Sequence, residues 1–234
     1  MPKPFTKAEV EDFFARLKKI DPAPKTELEY TNPYTLLVAV ALSAQATDKG
    51  VNKATKALFA KVGTPQQMLK LGEADLIAHI KTIGLYKGKA KNIIAAAKLL
   101  VDRHDGVVPN DQAALEELPG VGRKTANVVR NVAFGEKTIA VDTHIFRVSN
   151  RTGLAAGKDV LAVELKLEKV VPDAYALHAH HWLILHGRYT CIARKPLCPT
   201  CVVRDLCRFQ DKTKEAPAEK EKLPRKPSSR SSRR

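Results

Sequence analysis

The sequence lacks any long hydrophobic run. Its longest apolar stretch, Leu36–Leu42, is far too short to span a bilayer. No apolar segment follows Met1–Thr6, so this start does not have the pattern of a secretion signal. These absences exclude a membrane-spanning class, and we expect a cytoplasmic protein without a membrane partner. Disulfides are rare in that reducing compartment.

The sequence also lacks strong alternation of apolar and polar residues, the pattern that half-buried strands show. Thr6–Glu9 instead forms a capping box for a helix that runs to about Ile20. Further helix signals follow at Asn32–Pro33, Lys87–His104, Val160–Val170 and Tyr175–His186. Glycine and proline turns separate these short segments. The pattern therefore predicts an all-α fold.

Acidic residues are scarce beside basic ones. The 25 Asp and Glu against 40 Lys and Arg leave a net charge of +15, while 44% of the residues are hydrophobic. Residues 212–234 hold +6 of this charge, so the rest of the chain carries +9. A basic globule suggests a polyanionic partner, with nucleic acid first. We expect residues 212–234 to be a disordered basic tail, either simply solvated or tethered to DNA.

The segment Leu118–Ala126 lies between two predicted helices and contains two glycines around one valine. Gly120–Gly122 permits a tight turn with outward-facing amides, and the next helix adds its positive end. Such a hairpin grips the DNA backbone independently of base sequence. The glycines alone fit an ordinary helix-to-helix turn equally well. Arg123 and Lys124 directly after them favour DNA.

Lys124 offers a second role, as a nucleophile. A neutral lysine amine can displace a base from C1′ of its sugar and form a Schiff base. Because a lysine amine has a reference pKa of about 10.4, keeping one neutral near pH 7 costs roughly 4 kcal/mol, and the surroundings must help. A helix start supplies positive potential that favours the neutral amine. A solvated or phosphate-binding lysine is the simpler alternative.

Asp142 follows the apolar run Ile139–Val141 and precedes a predicted helix. Taken alone, it is most simply an N-cap. A cap also fixes the orientation of its carboxylate, so the same residue can accept a proton and stabilise positive charge on a sugar. The sequence is compatible with both roles.

The chain's four cysteines are confined to one short segment, at Cys191, Cys198, Cys201 and Cys207. In a cytosolic protein this clustering indicates a metal or iron–sulfur site rather than disulfides. One pair has the short spacing of a zinc knuckle, so zinc and a [4Fe–4S] cluster remain close alternatives by chemistry alone. The loop between the first two cysteines is basic, and Arg194 and Lys195 are positioned there to meet phosphates.

Together, Leu118–Ala126, Val141–His144 and the cysteine spacing resemble bacterial endonuclease III. The similarity extends from about Pro4 to Cys207 and includes Leu42–Asp48 and Thr82–Tyr86. The resemblance implies a two-lobed, all-α helix-hairpin-helix DNA glycosylase fold with a C-terminal [4Fe–4S] cluster loop. One lobe of six helices is then expected over residues 26–135. Residues 1–25 and 136–211 form the other, cluster-bearing lobe.

The resemblance further implies a base excision repair enzyme that acts as a monomer on nucleoid DNA. Such an enzyme removes oxidised or ring-saturated pyrimidines from duplex DNA and then cleaves the abasic site by β-elimination. Lys124 is implied to be the nucleophile and Asp142 its acidic partner. The residues expected to contact DNA are Gly120, Val121, Gly122, Arg123, Thr125, Gln45, Leu85, Arg194 and Lys195.

Gln45 and Leu85 lie on the segments that fill and wedge the duplex once the damaged nucleotide is flipped out. Without the resemblance, Gln45 has the pattern of a polar helix-end residue and Leu85 that of a core residue.

Two other functions fit parts of the sequence. Mismatch adenine glycosylases lack a lysine nucleophile at this place and carry a further C-terminal domain, whereas here Lys124 is present and 27 residues follow Cys207. A non-enzymatic DNA-binding module would use the hairpin and the cluster but would need neither Lys124 nor Asp142. A glycosylase with lyase activity is therefore the favoured interpretation.

Overall fold

The computed structural model describes residues 3–214, which form helices and one 3₁₀ turn and contain no β-strand. The all-α prediction is confirmed. In chain order the helices are α1 (Lys7–Ile20), α2 (Pro33–Ser43), α3 (Asp48–Phe59), α4 (Pro65–Ile80), α5 (Tyr86–His104), α6 (Gln112–Glu116), α7 (Arg123–Phe134), α8 (Thr143–Thr152), α9 (Val160–Val170) and α10 (Asp173–Tyr189). The 3₁₀ turn is Cys198–Thr200.

Local capping chemistry fixes most of the helix starts. Thr6 accepts a hydrogen bond from the Glu9 amide at 3.2 Å, while the Glu9 carboxylate accepts one from the Thr6 amide at 2.8 Å. Asn32 and Thr35 repeat this reciprocal pair at the start of α2. Each arrangement satisfies backbone donors that a helix start leaves free. Gly72, at φ 79°, interrupts α4 as the predicted glycine turn requires.

Two separate hydrophobic cores organise the chain. The first lies between Leu28 and Val129 and is built from α2 to α7. The second joins Val10–Leu17 of α1 to residues between Ile139 and Val203, including α8 to α10.

Polar contacts connect the helices of the two cores. The Asn131 side chain of α7 donates to the Leu177 carbonyl of α10 at 3.1 Å. Arg188 of α10 bonds to Asp48 of α3 at 2.5 Å. A cleft between the cores is thus bordered by α3 and α7 on one side and α8 and α10 on the other.

The start of the predicted tail folds back on the cysteine segment. The Lys212 ammonium donates to the Cys207 carbonyl at 2.7 Å, and the Thr213 hydroxyl donates to the Pro196 carbonyl at 2.5 Å. The rest of the predicted tail, residues 215–234, lies outside the described residues. Within residues 3–214, none of the helices combines the length and the apolar character needed to cross a membrane.

Candidate active site

The predicted hairpin connects α6 to α7 as a tight turn. Gly120 has φ 81°, and the Val121 amide donates to the Leu118 carbonyl at 2.9 Å. Asn92 of α5 packs directly beneath Gly120, so closely that an added Cβ would stand 2.9 Å from the Asn92 Cβ. Val121 itself is buried in the first core. The hairpin is therefore anchored from below, and its outer edge faces away from the core.

The start of α7 offers free backbone donors. Its N-cap is Gly122, which supplies no side-chain acceptor. Within the described part of the chain, the amides of residues 122–125 donate to no protein acceptor. Gly122, Arg123 and Lys124 are exposed there. Unpaired amides at the positive end of a helix form a phosphate-binding site.

The Arg123 side chain is partly committed elsewhere. Its Nε donates to the carboxylate of Glu164 in α9 at 2.7 Å. The Glu164 side chain is only 6% exposed, and its hydrogen bond raises the pKa of the Arg123 guanidinium. The pair ties the hairpin to the second core and leaves the remaining guanidinium donors for an anion.

Asp142 is the N-cap of α8. One oxygen of its carboxylate accepts from the amides of His144 at 2.9 Å and Ile145 at 2.8 Å. Its second oxygen is not used by these bonds. The cap predicted from sequence is therefore present, and it holds a carboxylate in a fixed orientation.

Lys124 and Asp142 line the same cleft between the two cores. The cleft has a volume of about 420 Å³, and its wall also includes His180 and Arg188 of α10 and Asp48 of α3. Lys124 reaches it from the first core and Asp142 from the second. The structure thus brings together two residues that are well separated in the sequence.

His180 forms a buried, neutral part of this wall. Burial, assisted by the neighbouring basic groups of His181, Lys124 and Arg188, lowers its pKa to about 3. Its Nδ1 is buried without a partner among the described residues. At neutral pH the His180 imidazole therefore adds no charge to the cleft.

Gln45 and Leu85 lie close together on neighbouring loops. Both have left-handed backbone conformations, with φ 56° and 58°, and the Leu85 side chain is 69% exposed. Gly84 approaches the Gln45 carbonyl so that an added Cβ would stand 4.0 Å from it. An apolar side chain held in solvent at a strained position is the geometry of a wedge rather than of a core residue.

The four cysteines line one small cavity at the end of the second core. Four thiols around one cavity are the ligand set that an iron–sulfur cluster requires.

The surroundings of these thiols are buried and basic. Burial raises the pKa of Cys201 to about 11 and also raises that of Cys207, so metal binding must displace protons from both. The Arg151 guanidinium lies 3.8 Å from the Cys191 sulfur, and His186 lies 3.6 Å from that of Cys201. A cationic neighbour suits a cluster whose thiolate ligands bring negative charge.

Two arginines of α8 hold the loop after Cys191. Arg151 donates to the carbonyls of Ile192 at 2.7 Å and Ala193 at 2.8 Å. Arg147 donates to the Cys191 carbonyl at 2.9 Å. The next two residues, Arg194 and Lys195, are exposed, and Lys195 has a left-handed φ of 50°. The helix that begins at Asp142 thus also supports the basic loop.

Sequence patterns did not single out several residues that the structure places at these sites. His180 is one of them, and it packs in the cleft wall. Arg147 and Arg151 are four residues apart on α8, the helix that Asp142 caps. This spacing could have indicated that both lie on the same face of the helix. Asp48 and Arg188 carry no local signal, because their pairing depends on tertiary structure.

Two family descriptions match the chain. Residues 38–173 match the family described as HhH-GPD superfamily base excision DNA repair protein. Residues 191–207 match the iron-sulfur binding domain of endonuclease III. The first match spans the hairpin, Lys124 and Asp142, and the second spans the four cysteines.

Curated relatives match along most of the chain. Endonuclease III of Haemophilus influenzae is 60% identical over 201 residues, which cover 86% of this chain and 95% of that protein. Endonuclease III of Escherichia coli strain K12 is 58% identical over 206 residues, which cover 88% of this chain and 98% of that protein.

Solved structures show the same fold. A trapped endonuclease III–DNA covalent intermediate, described as an estranged-adenine complex, matches with a TM-score of 0.81 at 46% identity, covering 87% of this chain and 96% of that one. A thermostable thymine-DNA glycosylase matches with a TM-score of 0.78 at 26% identity, covering 86% of this chain and 96% of that one.

These similarities confirm the predicted helix-hairpin-helix glycosylase fold and the [4Fe–4S] cofactor. They also confirm a DNA glycosylase and AP lyase of base excision repair, with DNA as its partner. The chain belongs to the endonuclease III family of the HhH-GPD superfamily of base excision DNA repair proteins.

Proposed function

We propose that this enzyme removes oxidised or ring-saturated pyrimidines from duplex DNA, with Lys124 as nucleophile and Asp142 as its acidic partner. The observation that carries the proposal is the cleft that both side chains line. Its volume of about 420 Å³ admits a single nucleotide. A nucleotide flipped out of the duplex would enter this cleft between the two cores. The preference for damaged pyrimidines follows from the family resemblance.

In the first step the Lys124 amine attacks C1′ of the damaged nucleotide. The bond between C1′ and the base breaks, and the base leaves with its electron pair and takes up a proton. The sugar ring opens to a Schiff base between Nζ and C1′. Loss of a C2′ proton then expels the 3′ phosphate by β-elimination. Water finally hydrolyses the Schiff base and returns the amine.

Asp142 acts on the charge that develops in this step. Its carboxylate accepts the proton that the attacking amine loses and faces the positive charge that builds on the sugar. The amides of His144 and Ile145 hold it in a fixed orientation. A preoriented carboxylate needs no rearrangement when the sugar cation forms.

Backbone donors carry the grip on DNA in this proposal. The free amides at the start of α7, from Gly122 to Thr125, receive one phosphate, and the free donors of Arg123 reinforce them. Gly120 and Val121 shape the turn beneath.

Other segments complete the DNA-binding surface. Gln45 fills the space that the flipped nucleotide leaves, and Leu85 wedges the opposite side. Arg194 and Lys195 meet phosphates further along the duplex. We also infer that the enzyme works as a monomer on nucleoid DNA. We further infer two lobes, one for each core: residues 26–135 form the first, and residues 1–25 together with residues 136–211 form the second.

The cluster has a supporting role in this scheme. Cys191, Cys198, Cys201 and Cys207 hold it as thiolates. A [4Fe–4S] cluster with four protein ligands cross-links the segment that surrounds it. The backbone between the first two cysteines then has one fixed path, which presents Arg194 and Lys195 together.

The Schiff base gives the direct test. Borohydride should reduce it and trap a covalent adduct on duplexes with a single oxidised pyrimidine. Lys124→Gln should abolish trapping and strand cleavage yet keep most of the duplex affinity, because one charge among many contributes little. Lys98→Gln, which removes an exposed lysine of α5, should trap like the parent enzyme.

Each alternative outcome names another mechanism. An adduct that maps to a different lysine would overturn the assignment of Lys124. Base release without any trapping would indicate a glycosylase that activates water instead. Parallel assays on duplexes with single damaged purines or mismatched adenine would overturn the pyrimidine preference if those bases were released faster.

A further inference from the structure

Lys89 makes two hydrogen bonds across the first core. It lies in the first turn of α5, and its ammonium donates to the Leu42 carbonyl at 3.0 Å and to the Ala44 carbonyl at 2.6 Å. Both acceptors belong to the end of α2. The side chain is half-buried, and its contact with the Leu42 carbonyl is partly shielded from water. Charge-assisted hydrogen bonds of this kind are among the stronger polar contacts in proteins.

The end of α2 needs such a donor. A helix leaves its last carbonyls unpaired and carries negative potential at its C-terminus. No basic residue lies in the last turn of α2, and its C-cap, Ala44, has φ −56° and ψ 116° rather than a left-handed cap conformation. The Lys89 ammonium therefore does what a C-terminal glycine or a local lysine does at other helices.

This contact determines the path of the chain into Gln45. Directly after Ala44 the backbone turns left-handed, with φ 56° at Gln45. A non-glycine residue persists in this conformation only when its surroundings hold it there. Lys89 fixes the preceding carbonyl, and Gly84 closes against the Gln45 carbonyl itself.

The same lysine is coupled to Leu85. The Lys89 amide donates to the Leu85 carbonyl at 3.1 Å, in the first turn of α5 that Leu85 caps. One residue thus contacts the turn that carries Leu85 through its backbone and the loop that carries Gln45 through its side chain. These bonds connect the backbone segments that carry the two exposed side chains.

We propose that Lys89 is a positioning residue that presents Gln45 and Leu85 as one rigid unit to the duplex. The proposal rests on the proposed base-flipping function of those two residues. Lys89 does not line the cleft that contains Lys124 and Asp142. Its effect is to lower the cost of entering the duplex, because both side chains are already placed before DNA arrives.

A positioning role and a merely structural role predict different substrate dependence. Duplex substrates require an inserted wedge and a filled gap, whereas an abasic site in single-stranded DNA requires neither. Loss of Lys89 should therefore slow reactions on duplexes and leave the single-stranded reaction unchanged. General damage to the fold would slow both.

The test compares Lys89→Met with Lys91→Met, which removes the same charge from an exposed position two residues away. Single-turnover rates are measured on a lesion duplex, an abasic duplex and an abasic single strand. We expect Lys89→Met to be slower by about ten- to hundredfold on both duplexes, the loss typical of charged hydrogen bonds. On the single strand it should stay within about twofold of Lys91→Met, and Lys89→Arg should recover part of the duplex rate.

Four results separate the possible failures. Equal losses on duplex and single strand would overturn the positioning role, as would unchanged duplex rates. A fluorescent 2-aminopurine opposite the lesion gives an independent readout, since insertion unstacks it, and an unchanged signal in Lys89→Met would also count against the proposal. If the parent enzyme trapped no adduct at Lys124, the proposed function would fail instead, whatever Lys89 did.

Discussion

Two glycines of the hairpin are subject to different constraints. Gly120 has φ 81°, and an added Cβ would stand 2.9 Å from the Asn92 Cβ. Gly122 has φ −101°, with open space where its Cβ would be. The first glycine is therefore required by the fold, while the second leaves its amide accessible to a ligand.

Gly120→Ala should lower the free energy of unfolding by about 1–2 kcal/mol, because it adds both a left-handed strain and a clash. Gly122→Ala should change that free energy by less than about 1 kcal/mol, yet it should weaken duplex binding, since its methyl group stands in front of the free amides. Urea unfolding and fluorescence anisotropy on undamaged duplex measure the two effects. If Gly122→Ala bound DNA like the parent, those amides would not hold a phosphate.

The next scale is the helix, and in the proposed mechanism α8 combines a capping role with a chemical one. Asp142→Asn keeps an oxygen that accepts from the His144 and Ile145 amides, so its stability should stay within about 0.5 kcal/mol of the parent. Asp142→Ala should lose about 1 kcal/mol more, since it removes the cap. Both should slow base release by about 100-fold, because the negative charge facing the sugar is gone.

Comparing base release with strand cleavage separates the proposed chemical role of Asp142 from its capping role. On a ready-made abasic site the glycosidic bond is already broken, so strand cleavage by Asp142→Asn should suffer less than base release. Quench-flow rates on a lesion duplex and an abasic duplex provide the measurement. Equal slowing of both reactions would contradict a role in stabilising the sugar cation.

How much the sequence predicts also depends on the element. Helices α1, α2 and α8 were predictable because Thr6, Asn32 and Asp142 cap them through bonds to residues two or three positions ahead. The apolar residues of α9 recur at helical spacing, so the helix was predictable. Their burial was not, because Val160 is 52% exposed whereas Val163 is buried. Periodicity gives the helix, whereas the neighbouring elements decide which face is covered.

The residues of the candidate site also divide into those that local sequence patterns reveal and those that only tertiary packing reveals. Lys124 and Asp142 stand in local patterns, a glycine hairpin and a helix start, and both could be found in the sequence. The pairing of Arg188 with Asp48 and the contact of Lys89 with Ala44 could not, because each joins residues more than 40 positions apart. Only the packed cores bring such residues together.

At the scale of the whole molecule, buried histidines make the fold sensitive to acid. Burial lowers the pKa of His180 to about 3 and that of His181 to about 4. In the unfolded chain both titrate near pH 6.5. Below that pH the unfolded state binds more protons than the folded state, so stability is full above about pH 6.5 and is lost progressively towards pH 4.

We expect the free energy of unfolding to fall by about 2 kcal/mol between pH 7 and pH 5.5 from these two groups. Urea titrations across this range give the measurement. His181→Gln, which removes one buried titrating group, should make the decline shallower. A decline equally steep in that variant would assign the acid sensitivity to other groups.

Three of the residues expected to touch DNA, Gln45, Leu85 and Lys195, have left-handed backbone conformations without being glycine. Glycine would adopt each conformation without steric cost. A laboratory selection for heat resistance alone would therefore favour glycine at all three positions, and it would erase the side chains of the proposed DNA contacts. If these side chains contact DNA as proposed, thermal robustness and repair activity impose opposite demands at these positions, and the natural residues give up stability to keep activity.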